Sequence, residues 1–299
     1  MIRPEPFTFG IALTPRANAR NWALIEALLD LTLASVRAQT DPNFRVVIAC
    51  HDRPHLTFDD PRFAFVEVAW PVQEPGPHND DSGRKKHALG DLVLERGGGL
   101  LMILDADDWV DVRLVAAARA TIGVDQIGGL IEAGVVTDFQ TLRAAPLPHP
   151  HVSELEFHRL CGSSGVVRLR PEASDPLRRN PFNVLCSHHH WVEVAAEHGA
   201  ELARLPVSGS YVINTTENHS EVHGPYAEWR RTFTARVNRA GKDVDGALAA
   251  RFGLDLARLR AASERFFAGG THPTAPSAAP TAQSQEVRPA PSLGRTMAV

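Results

Sequence analysis

Residues 100–108 read LLMILDADD: five apolar residues, Leu100 to Leu104, run straight into Asp105, Asp107 and Asp108. A continuous apolar run of this length suits a strand covered on both faces, as found inside a parallel sheet. Upstream the theme repeats. FTFGIALTP (Phe7–Pro15) and FRVVIAC (Phe44–Cys50) are further apolar strand candidates, and AFVEVAW (Ala64–Trp70) alternates, which places it nearer a sheet edge. Asn21 can cap a helix in which Ile25, Leu28, Leu29, Thr32 and Val36 recur with helical spacing, and Arg84–Glu95 is a second helical stretch stopped by Gly97, Gly98 and Gly99. Strand and helix in alternation predict an α/β fold, a mostly parallel sheet flanked by helices. Such sheets bind ligands beyond the carboxyl ends of their strands, where the three aspartates fall.

Downstream the pattern is less regular. Leu130–Val136, Val166–Leu169 and Tyr211–Asn214 are strand candidates; Trp191–Glu197, Pro225–Asn238, Val244–Phe252 and Leu256–Phe267 are helical, with Pro225 suited to a first helical position. PVQEPGP (Pro71–Pro77) and APLPHP (Ala145–Pro150) are expected to form stiff surface loops. Residues 269–299 are rich in Pro, Ala and Ser and almost without large apolar side chains, so they are expected to form a disordered tail on a single domain over 1–268. With 31 Lys plus Arg against 35 Asp plus Glu, the net charge of −4 supplies no positive field for nucleic acid or an anionic membrane, so the expected partners are small molecules or other proteins. Cys50, Cys161 and Cys186 are too scattered for a disulfide framework or a CxxC metal site, and they suit a reducing compartment. No apolar stretch approaches the roughly 18 residues of a transmembrane segment. The start, MIRPEPFTFG, has no apolar signal core, so the expected location is cytoplasmic.

Asp105 and Asp107, two apart, share a face of an extended segment, and two carboxylates pressed together repel unless a cation or proton intervenes. A divalent ion resolves that conflict, and oxygen ligands favour Mg²⁺ or Mn²⁺ with positions left for phosphate oxygens. Alternatively, Asp108 or Asp111 caps a helix over Val112–Thr121, which leaves Asp105 unexplained. A calcium loop would need a ligand at Trp109 and a glycine at Val110. An aspartyl nucleophile belongs on the first strand of its domain, and several β/α units precede Asp105. Gly83, Arg84, Lys85 and Lys86 precede or open a helix, where amide dipole and cations together attract an anion; Arg84 and Lys85 are favoured, and Lys86 is an alternative. Trp191 and Trp229 offer ring faces to a sugar, although both lie in helical patterns that also suit core packing. His219 and His223 have the spacing of helical metal ligands, but the glutamate of H-E-x-x-H is missing and Gly224-Pro225 points to a loop, which argues against zinc hydrolysis.

SVRAQT (Ser35–Thr40), NFRVVIACHD (Asn43–Asp52), SGRKKHALGDLVLERGGG (Ser82–Gly99) and LMILDADDWV (Leu101–Val110) together resemble family 2 type glycosyltransferases of the GT-A fold, over roughly residues 7–120. The resemblance implies a GT-A domain over 1–268, with about 1–120 binding a nucleotide sugar and about 121–268 forming the acceptor half and C-terminal helices. It implies metal-dependent transfer, with inversion, from a nucleoside-diphosphate sugar, a UDP-sugar foremost, to a glycan or small hydroxyl acceptor, with Mn²⁺ or Mg²⁺ as cofactor. By position, Asp107 and Asp105 handle the metal and the ribose or diphosphate, Asp52 receives the nucleoside base, and His219 adds a third metal ligand. Where the family's acceptor helix begins with an acidic pair, this chain has three histidines, so His189 or His190 becomes the base for the acceptor hydroxyl. Gly162 and Ser163 would let the sugar approach closely. Two other classes compete. A sugar-nucleotide nucleotidyltransferase wants a glycine-rich phosphate loop after the first strand, where this chain reads LTPRANARNW; a non-catalytic binding protein would keep the fold alone.

Overall fold

The computed structural model describes residues 4–76, 79–223 and 227–268; the expected tail over 269–299, Pro77 and Pro225 lie outside the described residues. In chain order the elements are β1 (Phe7–Ala12), α1 (Trp22–Arg37), β2 (Arg45–Cys50), β3 (Phe63–Glu67), α2 (Asp80–Glu95), β4 (Gly99–Ile103), α3 (Leu114–Thr121), β5 (Gly128–Leu130), β6 (Gly134–Asp138) and β7 (Arg143–Leu147). Then come α4 (Phe157–Leu160), β8 (Gly165–Leu169), α5 (Pro176–Arg179), α6 (Phe182–Leu185), α7 (Trp191–Glu197), β9 (Leu202–Arg204), β10 (Gly209–Ile213), α8 (His219–Val222), α9 (Ala227–Ala240), β11 (Lys242–Asp243), α10 (Gly246–Arg251) and α11 (Leu256–Phe267). The Asn21 side chain accepts the Leu24 amide at 3.2 Å and so starts α1 where the sequence places it.

The main sheet has the order β3-β2-β1-β4-β8-β5-β9. Strands β3, β2, β1 and β4 are parallel neighbours, β8 runs antiparallel to β4 and β5, and β9 is parallel to β5. The protein is therefore α/β, with a mostly parallel sheet flanked by helices. Alternation explains the double cover: Val46, Ile48, Leu100 and Met102 pack with Ile25, Leu29 and Leu33 of α1, whereas Val47, Ala49, Leu101 and Ile103 pack with Leu89 and Val93 of α2. Edge strand β3 is only half-buried, as its alternating pattern implies. Among the described residues no helix is long and apolar enough to cross a membrane.

A second sheet, ordered β10-β6-β7-β11, carries the other wall of the cleft described below. The expected single strand Leu130–Val136 is two strands in different sheets, because the chain leaves the main sheet after Leu130 and enters the small one at Gly134. Part of the expected loop Ala145–Pro150 is also strand: Ala145 and Leu147 are buried in β7. Pro146 is tolerated there because β11 pairs only with Arg143 and Ala144, leaving the rest of that edge open. The segment 219–222, expected as a loop, forms the single helical turn α8.

Gly134 and Gly209 face each other in register across β6 and β10, and the Phe157 ring occupies the space that side chains would fill. A Cβ on Gly209 would lie 2.0 Å from that ring. Gly209→Ala is therefore expected to cost about 2 kcal/mol, measured as a lower urea midpoint. An unchanged midpoint would refute this account of the inter-sheet packing.

Candidate functional site

Strands β1 and β4 are adjacent and parallel, so their carboxyl ends open side by side. After β4 the chain makes a tight turn in which the Asp108 amide donates to the Asp105 carbonyl at 3.3 Å. The aspartates therefore do not share one extended face, and the turn gives each a separate task. Asp108 points inward and is 1% exposed. It accepts the Val212 amide at 2.8 Å and the Cys161 thiol at 3.3 Å. Asp107 accepts from the Asn218 side-chain amide at 2.6 Å, and Asp105 lies 3.7 Å from the Lys86 ammonium.

Burial pushes the Asp107 carboxyl well above the usual carboxylate range, and the charges of Asp108 and Asp105 push it further. Asp108 is pushed up to about 7, by burial first and then by Asp105. The turn thus crowds three acids against one another.

These groups border a cleft of about 380 Å³. Asp105, Asp107, Gly162 and His219, named from sequence, line it together. Asp52, Arg84, Lys85, Ser163, His189, His190 and Trp191 do not. The reasons are local. Helix α2 starts at Asp80, four residues before the expected Arg84, so Gly83–Lys86 lies inside it and its first turn is acidic. Lys85 is fully buried, donating to the Leu13 carbonyl and to Asp81, each at 2.6 Å. Arg84 stacks 4.4 Å from the Trp70 ring centroid. Lys86, turned about 100° from Lys85, faces the cleft. Asp52 accepts the Arg16 amide at 2.8 Å, tying the loop after β2 to the loop after β1.

The three histidines form a 3-10 turn, where successive side chains diverge by about 120°. His188, which the sequence analysis passed over, is the one of the three that lines the cleft; His189 and His190 are exposed. His188 Nδ1 is 2.6 Å from the His158 carbonyl, which can only accept, so the ring carries its proton there and its lone pair on Nε2. Burial, aided by the charge of His189, lowers His188 to about 4, so the ring is neutral at physiological pH. Trp191 is a core residue: 4% exposed, it packs so closely on Gly165 that a Cβ there would lie 2.1 Å from its ring. Ser163 is buried, and its hydroxyl accepts the Asp105 amide at 2.9 Å, which makes it a support for the acid turn. Gly162 lies between Asp105 and His188; a Cβ there would meet them at 3.6 and 3.8 Å, ordinary contacts.

Sequence reasoning also missed the segment after β10. Asn214 and Thr216 take left-handed backbone, with φ of 59° and 67°, a strained state for a β-branched residue. Hydrogen bonds hold it: Asn218 accepts from the Thr215 amide and hydroxyl at 3.1 and 2.6 Å, and Glu221 accepts the Asn214 amide at 2.7 Å. Glu217 accepts the Arg20 and Asn21 amides at 3.1 and 2.7 Å, fastening the segment to the start of α1. The run of short polar residues TTENHS is the signal that it makes turns.

Among the described residues no three His, Cys, Asp or Glu side chains are gathered into a ready-made cation cage. The donors still suit Mg²⁺ or Mn²⁺, ions that commonly take one or two carboxylates and complete their shell with phosphate and water oxygens. The crowding of Asp107 with Asp105 and Asp108 is a conflict that such an ion relieves.

No family profile matches the chain, and no curated protein is significantly similar to it.

Lys85→Met, which strips a buried cation from two partners, is expected to lose about 3 kcal/mol of stability. Lys86→Gln, at the surface, should shift it by less than about 0.5 kcal/mol. Equal melting temperatures for the two variants would contradict their assigned positions. Asp107 binds a proton in the native state at pH values where the unfolded chain has released it, so its contribution to stability falls as pH rises above the usual carboxylate range. Asp107→Asn is expected to reduce that fall and to stabilise the metal-free protein at pH 8 by on the order of 1 kcal/mol, measured by urea unfolding at pH 5 and pH 8 in chelator.

Proposed function

We propose that this chain is a metal-dependent glycosyltransferase of the GT-A type, moving a sugar from a nucleoside-diphosphate sugar to an acceptor hydroxyl with inversion, in the cytoplasm. The observation that carries this reading is the meeting of Asp105, Asp107 and Lys86 on one cleft at the carboxyl ends of β1 and β4. Carboxylates for a divalent ion beside a cation for phosphate are what a diphosphate leaving group requires.

Asp107 would hold the Mn²⁺ or Mg²⁺ ion, with His219 on the same cleft. Bound there, the ion supplies Lewis-acid stabilisation of the departing diphosphate. Asp105 accepts hydrogen bonds from donor hydroxyls, and Lys86 offers a point charge to the phosphates. Nε2 of His188 takes the proton from the acceptor hydroxyl, in place of His189 or His190. The loop after β1 has no glycine to cradle a triphosphate, which weighs against a nucleotidyltransferase.

With Mn²⁺ present, a UDP-sugar is the first donor to test, by the rise in melting temperature that a ligand of the native state produces. Asp107→Ala should abolish both donor hydrolysis and transfer; wild-type turnover in this variant would sink the metal role. His188→Ala should lower kcat for transfer by about 100-fold with donor KM unchanged, whereas His189→Ala should stay near wild type. Because His188 titrates near 4, its loss should remove no limb of the pH–rate profile between pH 6 and pH 8.

A further inference from the structure

Arg230, on α9, lines the same cleft, and the transferase chemistry above makes no use of it. Its guanidinium lies 5.3 Å from the Tyr211 ring centroid and 5.0 Å from that of Trp229, and it donates to the Tyr211 hydroxyl. Among the described residues it forms no ion pair. Glu221 feels its charge but uses an oxygen on the Asn214 amide. Arg230 Nε is buried without a hydrogen-bond partner. A guanidinium has five donors in a rigid fork, and proteins seldom leave such a group so poorly satisfied without an acceptor arriving from elsewhere. Stacked against two aromatic rings, the fork is held in place, and a planar cation so held matches a carboxylate or phosphate.

Lys86 belongs to α2 and the acid turn follows β4, whereas Arg230 belongs to α9 and Tyr211 to β10. The charge of Arg230 reaches His189, whose ring stacks 4.3 Å from that of His188, and Arg230 and His188 both line the cleft. We infer that Arg230 and the Tyr211 hydroxyl form an oxyanion site for the acceptor, so that the molecule receiving the sugar carries a phosphate or a carboxylate. The acceptor role rests on the transferase reading; the oxyanion site does not.

The test is calorimetric titration of the full chain with glycerol 3-phosphate and, separately, glucuronate, each with and without saturating UDP and Mg²⁺. At least one probe should bind the wild type, with an affinity that UDP and Mg²⁺ leave unchanged. Arg230→Gln should weaken it about tenfold or more and Tyr211→Phe should weaken it less, while both variants keep their melting temperature and their UDP affinity. The stronger probe identifies phosphate or carboxylate as the group read. Failure of both probes to bind, or equal binding by Arg230→Gln, would overturn the site. Competition by UDP, with UDP affinity lost in Arg230→Gln, would overturn it too by placing Arg230 on the donor diphosphate. Probe binding that depends on Arg230 in a protein that binds no UDP would uphold the oxyanion site and defeat a UDP-sugar as the donor.

Discussion

A carboxylate between two sheets is costly unless donors reach its lone pairs, and Asp108 meets that demand through the Val212 amide and the Cys161 thiol. The rest of the site depends on this inward bond. Because Asp108 is drawn toward β10, the turn after β4 closes tightly and leaves Asp105 and Asp107 bordering the cleft. The Val212 carbonyl in turn accepts from Asn218 at 3.1 Å, and Asn218 donates to Asp107. Asp108, Val212, Asn218 and Asp107 form a closed circuit that positions the acid turn and the segment after β10 with respect to each other.

Electrostatics make the acid turn expensive to keep. The protein carries a net charge of −4, so an anionic ligand finds no general attraction and must be held by local charge. Lys86 of α2 and Arg230 of α9 line the cleft together with the acid turn. The acids repel one another in the absence of a cation, a conflict concentrated where a ligand can resolve it, as is usual for functional sites.

The parallel half of the fold was legible because its signals are strong and local: unbroken apolar runs in β1, β2 and β4, and a capping asparagine ahead of α1. The place of Asp105 and Asp107 at the cleft was legible because they directly follow a buried strand whose carboxyl end opens there. What failed was phase. Nothing in DDSGRKK showed that α2 begins at Asp80, and without its start the cleft-facing Lys86 cannot be told from the buried Lys85. The histidine run posed the same difficulty, since only the 3-10 turn selects His188. Leu130–Val136 looks like one strand because hydropathy carries no mark of a change of sheet, and β9 is too short for periodicity to register.

The circuit around Asp108 also bears on when the site comes into being. Its bonds join residues 104 and 111 apart in the chain, Asp108 to Val212 and Asp107 to Asn218. Contacts between such distant partners are slow to form, because the intervening chain must be ordered first. During synthesis, the amino-terminal strands can associate long before residue 218 has been made. A nascent chain would thus display its aspartates on a partly built sheet without the partners that orient them, and the cleft would be complete only after the segment following β10 had docked.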